Sequence, residues 1–159
     1  MSRNSRIDVA DSGFTLVEVL VVMVVMAVGL LGAVSLLLAG FRASRSAMQQ
    51  TGATYLAADL GDRIRANRAA GAAYALDAAT VLAPPAKPCL SPGECDSQDV
   101  AARDLYEWQQ AAMSLLPGAR TSVRVTRVDG MPASIYVVLV EWVQADQAAD
   151  AQFALTVQT

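Results

Sequence analysis

The sequence contains no histidine, only two cysteines, and no proline before Pro84. Without histidine there is no imidazole to act as a base, and a zinc site would need ligands beyond Cys89 and Cys95. The carboxylates are scattered with no paired motif, and neither cysteine is a convincing nucleophile. No enzyme, no cofactor and no metal is therefore expected. Basic residues are not in excess either: twelve Lys and Arg stand against fifteen Asp and Glu, a formal charge of −3. An acidic chain without a dominant basic face is not a general nucleic-acid binder. There are no internal repeats and no low-complexity tails. The late first proline removes the usual interruption of a helix from the whole N-terminal part.

What is present is an uncharged run from Val19 to Phe41. As a helix it is roughly 35 Å long, enough for a hydrocarbon core of about 30 Å. The run is too long for an ordinary secretory signal. Ala33-Val34-Ser35 has small residues at a cleavage spacing, but three leucines follow it. Glu18 stands at the edge of the run. A carboxylate there costs free energy, up to about 2.5–3.5 kcal/mol at mid-bilayer and less near the interface. A plain anchor explains the length and leaves Glu18 unexplained. Arg3 and Arg6 on one side balance Arg42 and Arg45 on the other, so basic residues alone do not orient the span.

Beyond Phe41 the helix is expected to continue. Gly52, Leu56, Leu60 and Ile64, with Ala53 and Ala57, form one apolar stripe. Arg45, Gln49, Asp59, Asp62 and Arg63 take the other faces, and Asp59 and Arg63 are spaced to pair. Gly71 is the expected end of this pattern. Residues 72–96 read as a loop, with Pro84-Pro85, Pro88 and Pro92-Gly93. A second helix fits about 98–116, with Ala101, Leu105, Trp108, Ala112 and Leu115 on one face, stopped by Pro117-Gly118. Ser122–Val128, Ile135–Val143 and the alternation of Phe153, Leu155 and Val157 read as strands. Asp129-Gly130-Met131-Pro132 is the turn between the first two. This order predicts an α+β fold with a short antiparallel sheet.

Cys89 and Cys95 flank a Pro-Gly turn that brings their thiols together. In an oxidising compartment a disulfide clip is the expected state, with free thiols or metal ligation as the alternatives. Arg63, Arg65 and Arg68 read as a solvated or interface face, and Asp62 as a local pair or a loop cap. Trp108 and Trp142 read as core or rim aromatics, not carbohydrate platforms.

The stretch Gly13-Phe14-Thr15-Leu16-Val17-Glu18, followed by the apolar run, resembles the type III signal of type IV prepilins. In residue terms the resemblance implies cleavage after Gly13 by the prepilin peptidase, N-methylation of Phe14, and a role for Glu18 in assembly. It divides the chain into a leader, 1–13, a transmembrane and assembly helix, 14–41, and a periplasmic pilin-like globular domain, 42–159. Leu60-Gly61-Asp62-Arg63-Ile64-Arg65-Ala66-Asn67-Arg68 is similar to the Ala-Asp-Arg-Met-Arg-Ala-Asn segment of the PilV group of minor pilins, with Gly61 and Ile64 as departures. Asp104-Leu105-Tyr106-Glu107-Trp108 and Leu116-Pro117-Gly118 are similar to that group's Asp-Leu-x-x-Trp and Leu-Pro-Gly pair. Many major pilins carry a proline in the membrane helix, where this chain has Ser35, and a disulfide near the C-terminus, where this chain has no cysteine after Cys95.

The resemblance implies a PilV-like minor pilin, a structural subunit that contributes to assembly of the type IV pilus. Its partners would be other pilins and minor pilins, the peptidase and the inner membrane. It would be a single-pass membrane protein before assembly and part of the pilus at the cell surface afterwards. Two alternatives are a minor pseudopilin of a type II secretion system and a pilus-borne adhesin presenting the loop at 72–96.

Overall fold

The computed structural model describes residues 15–87, 89, 91, 93–127, 134–144 and 149–159. Helix α1 runs Leu16–Ala66, a 3-10 helix Arg68–Tyr74, and helix α2 Ser97–Leu115. Strands β1 (Arg120–Arg127), β2 (Ser134–Trp142) and β3 (Ala151–Gln158) follow. The chain divides within α1 into two units, Met1–Ala43 and Ser44–Thr159. Val128 and the expected turn Asp129-Gly130-Met131-Pro132 lie outside the described residues, as do Pro88 and Pro92.

In the second unit α1 buries Ala53, Leu56, Ala57, Leu60, Gly61 and Ile64. Three- and four-residue spacings place these on one face. Gly61 permits a close approach to the sheet, because a Cβ there would lie 3.0 Å from Val157 Cγ2. The α-helix ends at Ala66, earlier than the expected end at Gly71. The reason is the next turn. The Asn67 amide donates to Ser97 O at 2.8 Å, and the 3-10 segment that follows buries Ala70 and Tyr74. Gly71 lies inside that segment at φ 51°, a conformation that favours glycine.

Helix α2 starts at a capping box. Asp96 Oδ1 accepts from Gln98 N and Asp99 N, both at 2.9 Å, while Asp99 Oδ2 accepts from Asp96 N at 3.2 Å. The helix buries Ala101, Leu105, Trp108, Gln109 and Ala112. Leu115, expected on that face, is exposed, and Leu116 is buried in its place. The chain leaves the helix at Leu116, which turns the side chain inward while its N–H still bonds Ala112 O at 2.9 Å. Gly118, at φ 61°, completes the turn. A Cβ there would sit 2.7 Å from Val143 Cγ2.

Among the described residues the strands form one antiparallel sheet in the order β1-β2-β3. Val138 pairs across to Val123 and Leu155, and Tyr136 to Val125 and Val157. Alternation puts Tyr136, Val138, Val140 and Trp142 on the buried face. The interval 72–96 is not all loop. Tyr74 and Leu76 are core residues, and Leu76 bridges Val123 with backbone bonds of 3.0 and 2.8 Å. That bridge covers part of the β1 edge.

Candidate assembly site

The first unit is described by its helix alone. Thr15 Oγ1 accepts the Glu18 N–H at 3.3 Å, and Thr15 O accepts it at 3.0 Å, which fixes the helix start. Glu18 therefore stands in the first turn, where the helix dipole favours an acid by about 0.3–1 kcal/mol. Gly13 and Phe14 lie outside the described residues. Every residue from Val19 to Phe41 is exposed, and the helix is long and apolar enough to cross a membrane. Burying one such Val, Leu, Met or Phe side chain is worth roughly 1.5–3 kcal/mol. Over the whole run this is a large driving force for covering the helix with lipid or with other helices.

The second unit brings together the stretches 60–68 and 104–108. Arg63 Nε meets Asp59 Oδ2 at 3.0 Å, and Arg63 Nη1 meets Asp104 Oδ1 at 3.0 Å and Glu107 Oε2 at 3.1 Å. Arg103 Nε holds the other Glu107 oxygen at 2.7 Å. The Tyr74 hydroxyl donates to Asp104 Oδ2 at 2.7 Å. The Trp108 indole N–H donates to Leu56 O at 2.8 Å. Arg63 is therefore not part of a solvated face. It is half-buried and ties α1 to α2. Asp62 pairs locally with Arg65 at 2.7 Å.

The electrostatics follow from these contacts. Burial disfavours the Arg63 charge, but the hydrogen bonds it donates to Asp104 and Glu107 outweigh that and the guanidinium stays ionised. Burial, then the bond to Asp104, pushes the Tyr74 hydroxyl well above its usual range. The Arg103 and Arg63 hydrogen bonds hold Glu107 below the usual carboxylate range, against its partial burial. Asp59, Asp104 and Glu107 thus converge on a guanidinium. Among the described residues no group of three His, Cys, Asp or Glu is arranged to hold a metal. The cluster fastens α1 to α2.

Cys89 and Cys95 are joined in a disulfide with Cα atoms 5.5 Å apart. The loop is fastened to α2 at two points: Lys87 pairs with Asp99, and Arg103 Nη1 donates to Cys89 O at 3.2 Å. The Lys87 hydrogen bond lowers the Asp99 pKa. A clip of this loop length is worth about 2–3 kcal/mol in the chain-entropy model. Alkylation of the unreduced protein is expected to label neither thiol, and labelling of both would show that the bond does not form.

Two features of the unit were missed from sequence. Gln109 is buried, donates to Thr80 O at 2.8 Å and accepts from Leu82 N at 2.8 Å, pinning the interval 80–82 to α2. Its position four residues after Leu105 on the apolar face was the available signal. Tyr74 carried no periodic signal. Both tryptophans are core residues, each 1% exposed.

Residues 10–34 match the family model of the prokaryotic N-terminal methylation motif. Residues 35–106 match the model of the Tt1218-like family, described as type IV pilin Tt1218. No curated protein and no solved structure gives a significant match. The methylation motif and the exposed apolar helix fit membrane anchoring and a place on the pilus surface, and pilin families are structural. The two adjoining matches, with the long apolar helix, the second helix and the antiparallel sheet, support a type IV pilin for pilus assembly that carries the prepilin methylation motif.

Proposed function

We propose that this chain is a PilV-like minor pilin. The peptidase cuts after Gly13, Phe14 is N-methylated, and residues 14–41 hold the chain in the inner membrane with residues 42–159 in the periplasm. The subunit then enters the fibre through the same helix. The Phe14 ammonium of one subunit meets Glu18 of its neighbour, and packing of the apolar helices supplies most of the contact. The observation that carries this reading is a fully exposed apolar helix with one acid in its first turn, within a segment that matches the methylation motif. The minor-pilin assignment is supported by the contact between the 60–68 and 104–108 stretches through Arg63, Asp104 and Glu107.

The test is the mature N-terminus. Mass spectrometry of the membrane-extracted protein is expected to show a chain beginning at methylated Phe14. Gly13→Val is expected to leave the precursor uncut, because the peptidase must accommodate the residue before the scissile bond. A mature chain starting elsewhere sinks the proposal.

A further inference from the structure

Among the described residues, the Ser44–Thr159 unit has one end built almost without charge. Three segments meet there. Gln144 Nε2 donates to Ser46 Oγ. Leu115 seats over Gly52, where a Cβ would lie 2.8 Å from Leu115 Cδ2. The Val143 N–H donates to Pro117 O at 2.9 Å. The early turns of α1 in this unit, the end of α2 and the end of β2 therefore form one surface. Residues 46–58 and 108–119 contain no charged side chain, and neither do Trp142, Val143 and Gln144. On α1 and α2 the unit's acids run from Asp59 to Glu107. At the flanking strand ends, Arg120 pairs with Glu141 and Asp150.

The same uncharged stretches expose large apolar side chains. Met48 is 73% exposed, Leu115 54%, Val143 48% and Met113 41%. Arg45, Met48 and Gly52 follow at i, i+3 and i+7, so they share a face of α1 with the seat of Leu115. Arg45 and Met48 follow Phe41 by four and seven residues in the sequence. Arg42 and Arg45 are the only charged residues between Glu18 and Asp59.

We infer that this end of the unit rests on the headgroup region of an anionic phospholipid bilayer. The inference rests on the reading above in one respect, that the Val19–Phe41 helix spans the bilayer. The short chain interval from Phe41 keeps the surface within reach of the same bilayer. The headgroup zone accepts shallow Met, Leu and Val side chains whose surroundings are neutral, and it repels clustered carboxylates. Arg45 adds attraction to lipid phosphates, about fivefold in contact population for each basic residue near the surface. A water-exposed end offers none of these gains to four large apolar side chains.

The test uses the full chain carrying 13C-methyl methionine, one chain per nanodisc of equal phosphatidylcholine and phosphatidylglycerol. A gadolinium chelate on a lipid headgroup is expected to broaden the Met48 and Met113 methyl signals. A Gln98→Met reporter, in the first turn of α2 and about 22 Å along that helix from Met113, is expected to stay sharp. Arg45→Glu is expected to weaken the broadening at Met113, because it removes one basic residue and adds an acid. An acyl-chain nitroxide is expected to broaden Met23 and Met26. If Met23 and Met26 stay sharp, the membrane reading fails and the inference with it. If they broaden while Met48 and Met113 stay as sharp as the Gln98→Met reporter, the inference alone is overturned. Broadening of Met48 and Met113 that ignores gadolinium and appears only with two chains per disc overturns it in favour of a second copy covering this end.

Discussion

Trp108→Ala is expected to destabilise the Ser44–Thr159 unit by about 3–5 kcal/mol, a large part of the 5–15 kcal/mol typical of a domain. The side chain is 1% exposed and lies in the same core as Leu56, Leu60 and Ile64 of α1. Truncation leaves a cavity and removes the donor to Leu56 O. At roughly 3–6 °C per kcal/mol, between the values for smaller and larger domains, the loss is on the order of 10–30 °C in Tm. Near-ultraviolet circular dichroism of the full chain in detergent during heating measures it. The conservative pair sharpens the argument. Trp108→Phe loses ring volume and the bond to Leu56 O. Trp142→Phe loses similar volume but removes an indole N–H that has no partner among the described residues. A buried unpaired donor costs about 1–3 kcal/mol, so its removal offsets the lost volume. Trp142→Phe is therefore expected to be the milder change. Equal losses for the two would mean that neither the hydrogen bond of Trp108 nor the unpaired donor of Trp142 sets the difference.

The features legible in the sequence were those set by period and by backbone chemistry. The Ala53–Ile64 stripe, the Trp108 face and the alternation in β2 each follow from which side chains a helix or strand places together, and the structure has all three. The Pro117-Gly118 stop is equally local. What was not legible depended on where the chain goes next. Leu115 and Leu116 are adjacent and chemically identical. Only the exit of the chain from the helix at Leu116 decides which one is buried. The end of α1 was misplaced for a similar reason. Gly71 is a plausible terminator by itself, but the pull of Asn67 toward Ser97 and the burial of Tyr74 end the helix at Ala66. The Arg63 cluster was half visible. Asp59 is one turn away in sequence, whereas Asp104 and Glu107 arrive from another helix and have no local signature. For the candidate assembly site, the apolar run and Glu18 were readable because hydropathy and charge are properties of the chain itself.

Glu18→Gln is expected to abolish most incorporation into fibres while leaving the protein in the membrane. Removing the charge makes insertion no harder, because a carboxylate at the edge of the span costs free energy. Cleavage after Gly13 is expected to persist, since the scissile bond lies four residues before Glu18 in the sequence. The helix itself loses little. An acid in the first turn is worth about 0.3–1 kcal/mol, and the Thr15 cap remains. The assembled state differs. The Phe14 ammonium of a neighbour would stand in low dielectric without its counter-charge, and breaking a buried pair this way costs about 3–5 kcal/mol. That is a hundredfold or more per subunit, well above the local helix effect. Glu18→Gln keeps the size and hydrogen bonding of the side chain, so it separates charge from packing. Glu18→Ala removes both and is expected to be at least as defective. The measurement is the ratio of this protein in sheared, purified fibres to that in the membrane, normalised to the mature form. If Glu18→Gln enters fibres as well as wild type while Glu18→Ala does not, the residue acts through packing and the ion pair does not set the register of the subunit.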